Sequence, residues 1–389
     1  MKAKTALGLS LLALLTACSA ATNSTVSKAP LAQAAATQVR VDADTLVELP
    51  GEASAEADPE PLAACSTDSG KQGYGFFSKD SWNQGEVVLT FDDGPHPTAT
   101  PRVLDLLASR KLPATFFVVG RNISRTTYPL VQRMIADGHT LASHSYSHDV
   151  TMTKIDAPKE TVEHIRGQHE VTAIMIDLAL MARSADDFDS MFRKVFESDP
   201  AIWLTGLTIR AKWRSYLGRH RQLLDDRGFE AGARPYAVLY SRPPGGGPYV
   251  EHDGATGIAI HNEALAKVGM MNVLWHGAAG DTVPGQRSDF GFLTKNMDKY
   301  AADGGVLVIH DYIRADALAA SLDKIARDPK VSVITMEQAV EHKYACSVEA
   351  MGLRLQSDAH AEILGRGFLA QATPSSRASS RRTSLALSR

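Results

Sequence analysis

The 389-residue chain has no excess of charge of either sign: 41 Lys and Arg stand against 44 Asp and Glu, a formal net charge of −3. A nucleic-acid binder would carry a strongly basic domain, so that class is excluded. Cysteine is scarce, with Cys18, Cys65 and Cys346 the only three, and a disulfide-built scaffold is excluded with it. The apolar run over residues 6–15 is too short to cross a hydrocarbon core of about 30 Å. What remains is ordinary globular material. Hydrophobic residues at 44% and charged residues at 22% allow a sizeable core and rule out collagen-like or wholly disordered chains. Length alone suggests two or three domains, but barrels of about 250 residues form one, so the pattern along the chain decides.

Lys2 and Lys4 precede the apolar run, which reads as an export signal. It ends in Leu15-Thr16-Ala17-Cys18, which resembles the lipobox of bacterial lipoproteins. The resemblance implies a signal peptide over residues 1–17, lipidation of Cys18, membrane attachment through that lipid, and a periplasmic or cell-surface location. A soluble secreted protein is the alternative. Cys65 and Cys346 are then left as a candidate disulfide bracketing the folded region, with two free thiols as the alternative. Residues 18–70, rich in Ala, Ser, Thr and acids, read as a flexible tether.

From about residue 74 short apolar runs recur at 87–91, 114–119, 140–143, 237–241, 272–275, 306–309 and 331–335. Near-continuous Val, Ile, Leu and Phe over four to six residues is the pattern of strands buried on both faces of a parallel sheet. Helical patterns lie between them. Thr100-Pro101 is expected to be an N-cap and first helical residue, with Val103, Leu104, Leu106 and Leu107 as the apolar stripe. This alternation predicts an α/β fold, and polar residues at the ends of several strands (Asp92, Asp93, His144, Arg242, His310) favour a distorted (β/α) barrel over a doubly wound sheet. The expected domain runs over residues 71–348, with a helical insertion at about 160–235, where Ser184 caps one helix and residues 202–224 form another. Residues 349–389 are expected to be a largely disordered tail.

Two motifs carry chemistry. Thr90-Phe91-Asp92-Asp93-Gly94-Pro95 places two adjacent carboxylates at the end of a buried strand, where unpaired charge is costly. His144-Ser145-Tyr146-Ser147-His148 places two imidazoles four residues apart, on one side if the segment is helical. With Asp93 they would make a His₂Asp site holding one divalent cation and leaving a position open for water. Alone, either motif is ordinary turn or surface sequence.

Together and in this order they resemble the NodB-homology polysaccharide deacetylases, carbohydrate esterase family 4, over roughly residues 74–344. The resemblance implies a deacetylase. Asp92 matches the catalytic base, and Asp93, His144 and His148 match the metal ligands. Arg242-Pro243-Pro244-Gly245-Gly246 matches a third motif, whose Arg lies by the base and whose backbone N–H, here that of Gly245, helps hold the oxyanion. His310 matches the catalytic acid, and Val308 takes the position of a Leu that lines the acetyl pocket. Asp281 is the best match to an Asp that orients this His, although aligning on Trp275 puts Ala278 and Thr282 where the family has Asp and Trp. Gly245 replaces a usual Tyr.

The cofactor implied is Zn²⁺, with Co²⁺, Ni²⁺ or Mn²⁺ also accepted by such a donor set. The implied substrate is an acetylated polysaccharide, foremost N-acetylglucosamine of peptidoglycan. Alternatives are chitin oligomers, poly-N-acetylglucosamine, O-acetyl xylan, or non-catalytic glycan binding. Activity is expected to fall as Asp92 protonates at low pH and as His310 deprotonates at high pH. His164 and His169 are expected to be solvated or packing residues, and Trp203 and Trp213 packing residues of the insertion. His96, His252 and His276 lie near the motifs with no spacing argument to choose among them.

Overall fold

The computed structural model describes residues 75–153, 158–197, 209–229, 232–250, 254–348, 350–352 and 355. The signal segment, Cys18, the tether, Cys65, Trp203, His252, the Trp213 side chain and most of the tail lie outside the described residues.

In chain order the strands are β1 (Gly75–Phe76), β2 (Glu86–Asp92), β3 (Thr115–Val118), β4 (Thr140–Ser143), β5 (Tyr240–Ser241), β6 (Met271–Val273), β7 (Gly277–Ala278), β8 (Gly305–His310) and β9 (Ser332–Val333). The helices are α1 (Ala99–Ala108), α2 (Tyr128–Ala136), α3 (Pro158–Met181), α4 (Ala185–Val195), α5 (Ile209–Asp226), α6 (Gly254–Val268), α7 (Phe290–Asp303), α8 (Ala315–Arg327) and α9 (Met336–Tyr344). The strands form one sheet in the order β1-β6-β5-β4-β3-β2-β8-β7, with β9 beside the start of β2. Every pairing is parallel. No ladder joins β7 to β1 among the described residues, so the (β/α) barrel is open on that side.

The period of two along β2 divides its side chains between two cores. Val87, Leu89 and Phe91 join Leu104 and Leu107 of α1 and Leu307 and Ile309 of β8 in the layer under the helices. Val88 faces the other way, into a cluster with Phe117, Ala142, Val273 and Val306. Burying each such side chain contributes about 1.5–3 kcal/mol, and both faces are apolar because both are covered. Met336, Ala339, Val340 and Tyr344 of α9 complete the interior cluster. Ile334 N–H donates to Val87 O, 2.9 Å, at the amino end of β2. Helix α9 therefore fills the amino end of the barrel, and the carboxyl end is left for polar groups.

Between β4 and β5 lie three helices where one crossover helix suffices. Ser184 caps α4, accepting from Asp187 N–H at 3.1 Å, as the sequence suggests. Helix α3 is more than an insertion beside the site. It packs against α2, α6 and β4, and its Val171, Ile174, Ile176 and Leu178 enter the main core. The expected N-cap of α1 is corrected: Thr98 precedes the helix, and His96 Nδ1 accepts from the Thr98 and Ala99 N–H groups, each at 3.2 Å. Thr100 lies inside α1, its hydroxyl turned to Asp311. The run at 237–241 shortens to the two residues of β5, and β1 and β7 appear where no apolar run marks them. Cys346 is disulfide-bonded. Among the described residues no helix is long and apolar enough to cross a membrane.

Candidate metal centre and active site

Asp92, Thr90 and Val88 share one face of β2, so the alternation that fills the barrel floor with Val88 carries Asp92 to its mouth. Asp93 then departs from the strand at φ 72°, a left-handed conformation that Asp tolerates better than most residues. Its backbone carbonyl accepts from Asn122 Nδ2 at 2.8 Å. Gly94 follows because nothing larger fits: a Cβ there would lie 2.4 Å from Asp311 Oδ2.

The histidine segment is not helical. Ser145 and His148 both adopt left-handed backbone, φ 64° and 54°, and the loop folds back so that both imidazoles face Asp93. The two imidazoles are brought to one side by a loop held from outside. Gln168 of α3 accepts from Tyr146 and Ser147 N–H at 2.9 and 2.8 Å, and Ser145 Oγ accepts from His148 N–H at 3.1 Å. His144 Nδ1 donates to Arg242 O, 2.8 Å. A carbonyl can only accept, so the proton is on Nδ1 and Nε2 offers its lone pair to the cluster.

Asp93, His144 and His148 bring one ligand atom each within 4.8 Å of one another. Asp93 Oδ1 lies 3.0 Å from His148 Nε2 and 3.5 Å from His144 Nε2. No N–H is aimed at that buried oxygen in hydrogen-bond geometry. Two nitrogen donors and one carboxylate around an orphaned oxygen suit a divalent cation with a coordination position left open. Asp93 and His148 side chains are 23% and 30% exposed, against 3% for His144, so the cluster opens to solvent on one side.

Arg242 is fully buried and spans the barrel. Its Nη1 donates to Asp92 Oδ1 at 2.7 Å and Thr90 Oγ1 at 2.9 Å, Nε to Val273 O at 2.8 Å, and Nη2 to Leu274 O at 3.2 Å. The guanidinium also lies 4.0 Å from the Phe117 ring centroid. The planar fork suits this site in a way an ammonium would not. Asp92 Oδ2, its other oxygen, lies 3.7 Å from His144 Nε2.

Asp281, buried after β7, accepts from both His310 N–H at 2.8 Å and His310 Nδ1 at 3.0 Å. The space between β7 and β8, which no sequence spacing reveals, brings the two together despite the altered motif around Trp275. Burial opposes the His310 imidazolium, but the Asp281 hydrogen bond and charge, helped by Asp92 and Asp93, lift its pKa to about 9. Val308 lies on the interior face of β8, paired with Thr90 and Ala278. Gly245 is exposed at φ 66° beside Val150.

Three residues at the site carry no signal in the sequence: Gln168, Tyr312 and Asp311. Asp311 accepts from Thr100 Oγ1 beneath Gly94, and burial lifts its carboxyl to about 7. Other histidines stand elsewhere. His276 Nδ1 accepts from Val306 N–H at 3.0 Å near the amino end of β8, away from the mouth. His169 is buried and kept neutral by burial, 2.8 Å from Ser143 Oγ, so it packs as expected.

An open parallel (β/α) barrel with a His₂Asp cluster, a buried Asp–Arg pair and a His–Asp pair at its carboxyl-end face defines the class. Residues 79–179 match the family model of polysaccharide deacetylase. The chain is 39% identical over 102 residues to a chitooligosaccharide deacetylase of Sinorhizobium fredii, covering 22% of this chain and 47% of that one. It is 46% identical over 66 residues to a peptidoglycan-N-acetylglucosamine deacetylase of Bacillus cereus, covering 17% and 30%. The chain thus spans less than half the length of the curated relatives it matches. Among solved structures, the Xyl-CE4 domain of a multidomain xylanase from the hindgut metagenome of Trinervitermes trinervoides is similar at a TM-score of 0.43 and 20% identity, covering 68% of this chain and 93% of that one.

Proposed function

We propose that the chain is a metal-dependent hydrolase that removes N-acetyl groups from a cell-envelope polysaccharide, foremost N-acetylglucosamine of peptidoglycan, and releases acetate. The observation that carries the reading is the convergence at one barrel mouth of a carboxylate tied to Arg242, an orphaned His₂Asp cluster, and a histidine tied to Asp281. The two named relatives, acting on chitooligosaccharide and on peptidoglycan N-acetylglucosamine, support the substrate class.

Asp93, His144 and His148 would hold the cation, with Zn²⁺ the first choice for two nitrogens and a carboxylate. A bound cation supplies Lewis-acid polarisation and a more acidic water. Asp92 then takes the proton of the attacking water. Arg242 keeps that carboxylate fixed and charge-paired while the proton moves. The Gly245 N–H donates to the oxyanion. His310, with Nδ1–H held on Asp281, delivers a proton from Nε2 to the leaving nitrogen as the C–N bond breaks. Val308 walls the space for the acetyl methyl.

The same reading places Cys18 in the membrane by lipid, pairs Cys346 with Cys65, and keeps residues 18–70 as the tether. The experiment is acetate release by the chain from residue 19 on peptidoglycan and on chito-oligomers, beside Asp92→Asn and with metal content measured on both. Acetate from the parent and none from the variant, at equal metal, supports the reading. Metal without acetate from any glycan contradicts it.

A further inference from the structure

Large hydrophobic side chains that stand in solvent are few among the described residues: Val150, Val250, Val283, Phe290 and Tyr312. Three of them ring the mouth. Val150 lies two residues after His148 and against Gly245, Val250 lies against Gly246, and Tyr312 lies two residues after His310. Strands β8 and β5 are separated in the sheet by β4, β3 and β2, so Tyr312 rises on the opposite side of the mouth from the bare Gly245–Gly246 turn.

Tyr312 is the most exposed aromatic of the set, at 52%. One side of its ring is stacked on His310, with centroids 5.2 Å apart and planes at 22°. The ring is thus fixed in orientation while much of it remains wet. Its hydroxyl is hydrogen-bonded to the Asp93 side chain, which anchors the other end of the ring. No part of the barrel core is served by leaving such a ring in water.

A flat, oriented aromatic face beside a site for acetylated sugars has a specific chemical complement. A pyranose ring presents a face of C–H groups, and apolar burial with dispersion on an aromatic plane is the ordinary way to hold it. We propose that Tyr312 is a substrate-binding platform on which the sugar unit neighbouring the reacting N-acetylglucosamine stacks, so that the site selects oligomers over single sugars. The inference rests on the deacetylase reading and adds a residue that the catalytic motifs do not include. With Gly245 contributing no side chain on the far wall, Tyr312 is the aromatic surface the mouth retains on the side of the acid.

The test is isothermal titration of N-acetylglucosamine monomer and pentamer into metal-loaded Asp92→Asn chain, with and without Tyr312→Ala or Tyr312→Phe. Pentamer Kd is expected to rise at least about tenfold with Tyr312→Ala and to stay within about threefold with Tyr312→Phe, at unchanged metal content and thermal midpoint. Monomer binding is expected to be weak in all three. An unchanged pentamer Kd in Tyr312→Ala overturns the platform alone, as does an equal loss in Tyr312→Phe, which would assign the effect to the hydroxyl. Failure of the Asp92→Asn chain to bind pentamer, together with no acetate release by the parent, overturns the deacetylase reading and the platform with it.

Discussion

The molecule buries charge in two places, and they do different things. At the barrel mouth, Arg242 and Asp92 pair beneath the His₂Asp cluster. Within the helices between β4 and β5, Asp177 of α3 lies 2.9 Å from His220 Nε2 of α5 and 3.7 Å from Arg234 Nε, while Arg234 also pairs with Glu170. The pairs Arg242–Asp92 and His220–Asp177 are both deeply buried, and both would stand out in a search for buried ionisable groups. They differ in what surrounds them. The helical cluster ties α3, α5 and the following loop together by ion pairs, and the Asp177 oxygens, like Asp93 Oδ1, lack a donor in hydrogen-bond geometry. The barrel cluster gathers residues from the ends of four strands, β2, β4, β5 and β8, and opens to solvent through the partly exposed Asp93 and His148. Convergence of strand ends on an open face, more than burial, distinguishes a site from a strut.

Breaking each pair sharpens the contrast. Arg242→Ala and Asp177→Ala each leave a buried charge without its partner and should each cost about 3–5 kcal/mol of stability by denaturant unfolding. Only Arg242→Ala should also abolish acetate release from the fraction that remains folded. Equal loss of specific activity from Asp177→Ala would make the helical cluster part of the site.

A smaller effect is expected where the two regions touch. Gln168 belongs to the same helix as Asp177 but clamps the histidine loop. Gln168→Ala should weaken metal affinity about tenfold, in the range seen when outer-shell partners are removed, measured by competition with a chelator. Asp177→Ala should leave that affinity unchanged.

The smallest expected effect is a shift along the pH axis. His310 has its folded pKa raised to about 9, above its unfolded value, so the stability it contributes is complete below about pH 6.5 and is lost as pH rises through about 9. The alkaline limb of acetate release should follow the same deprotonation in direction, displaced downward when a cation is bound nearby. Asp281→Asn should move the limb to lower pH, as read from rate–pH profiles of parent and variant. A limb that stays in place would remove Asp281 from the role of holding the imidazolium.

The parts legible in the sequence were those with long-range physical signatures. Runs such as residues 87–91 and 306–309 announce strands covered on both faces, and Asp92-Asp93 with His144 and His148 announces metal chemistry. The Arg242–Asp92 and His310–Asp281 pairs followed from the family resemblance, and the geometry brings both pairs within hydrogen-bond distance. What the sequence hid is what depends on the third dimension. Two-residue strands such as β1 and β7 are too short to carry a period. The left-handed backbone at Ser145 and His148 is held by Gln168 from a helix twenty residues on, and no local pattern announces it. Thr100 looks like a cap because Thr-Pro often is one, but its hydroxyl is claimed by Asp311 from the end of the neighbouring strand β8. Tyr312 is an unremarkable residue until its ring is seen against His310.

The most direct test compares Asp92→Asn with the parent chain, measuring bound metal and acetate release from peptidoglycan on the same preparations. The account predicts one metal per chain in both and a loss of about 10²–10⁴-fold in acetate release by the variant, the usual contribution of a general base. Acetate release by Asp92→Asn at the parent's rate and metal content would contradict it.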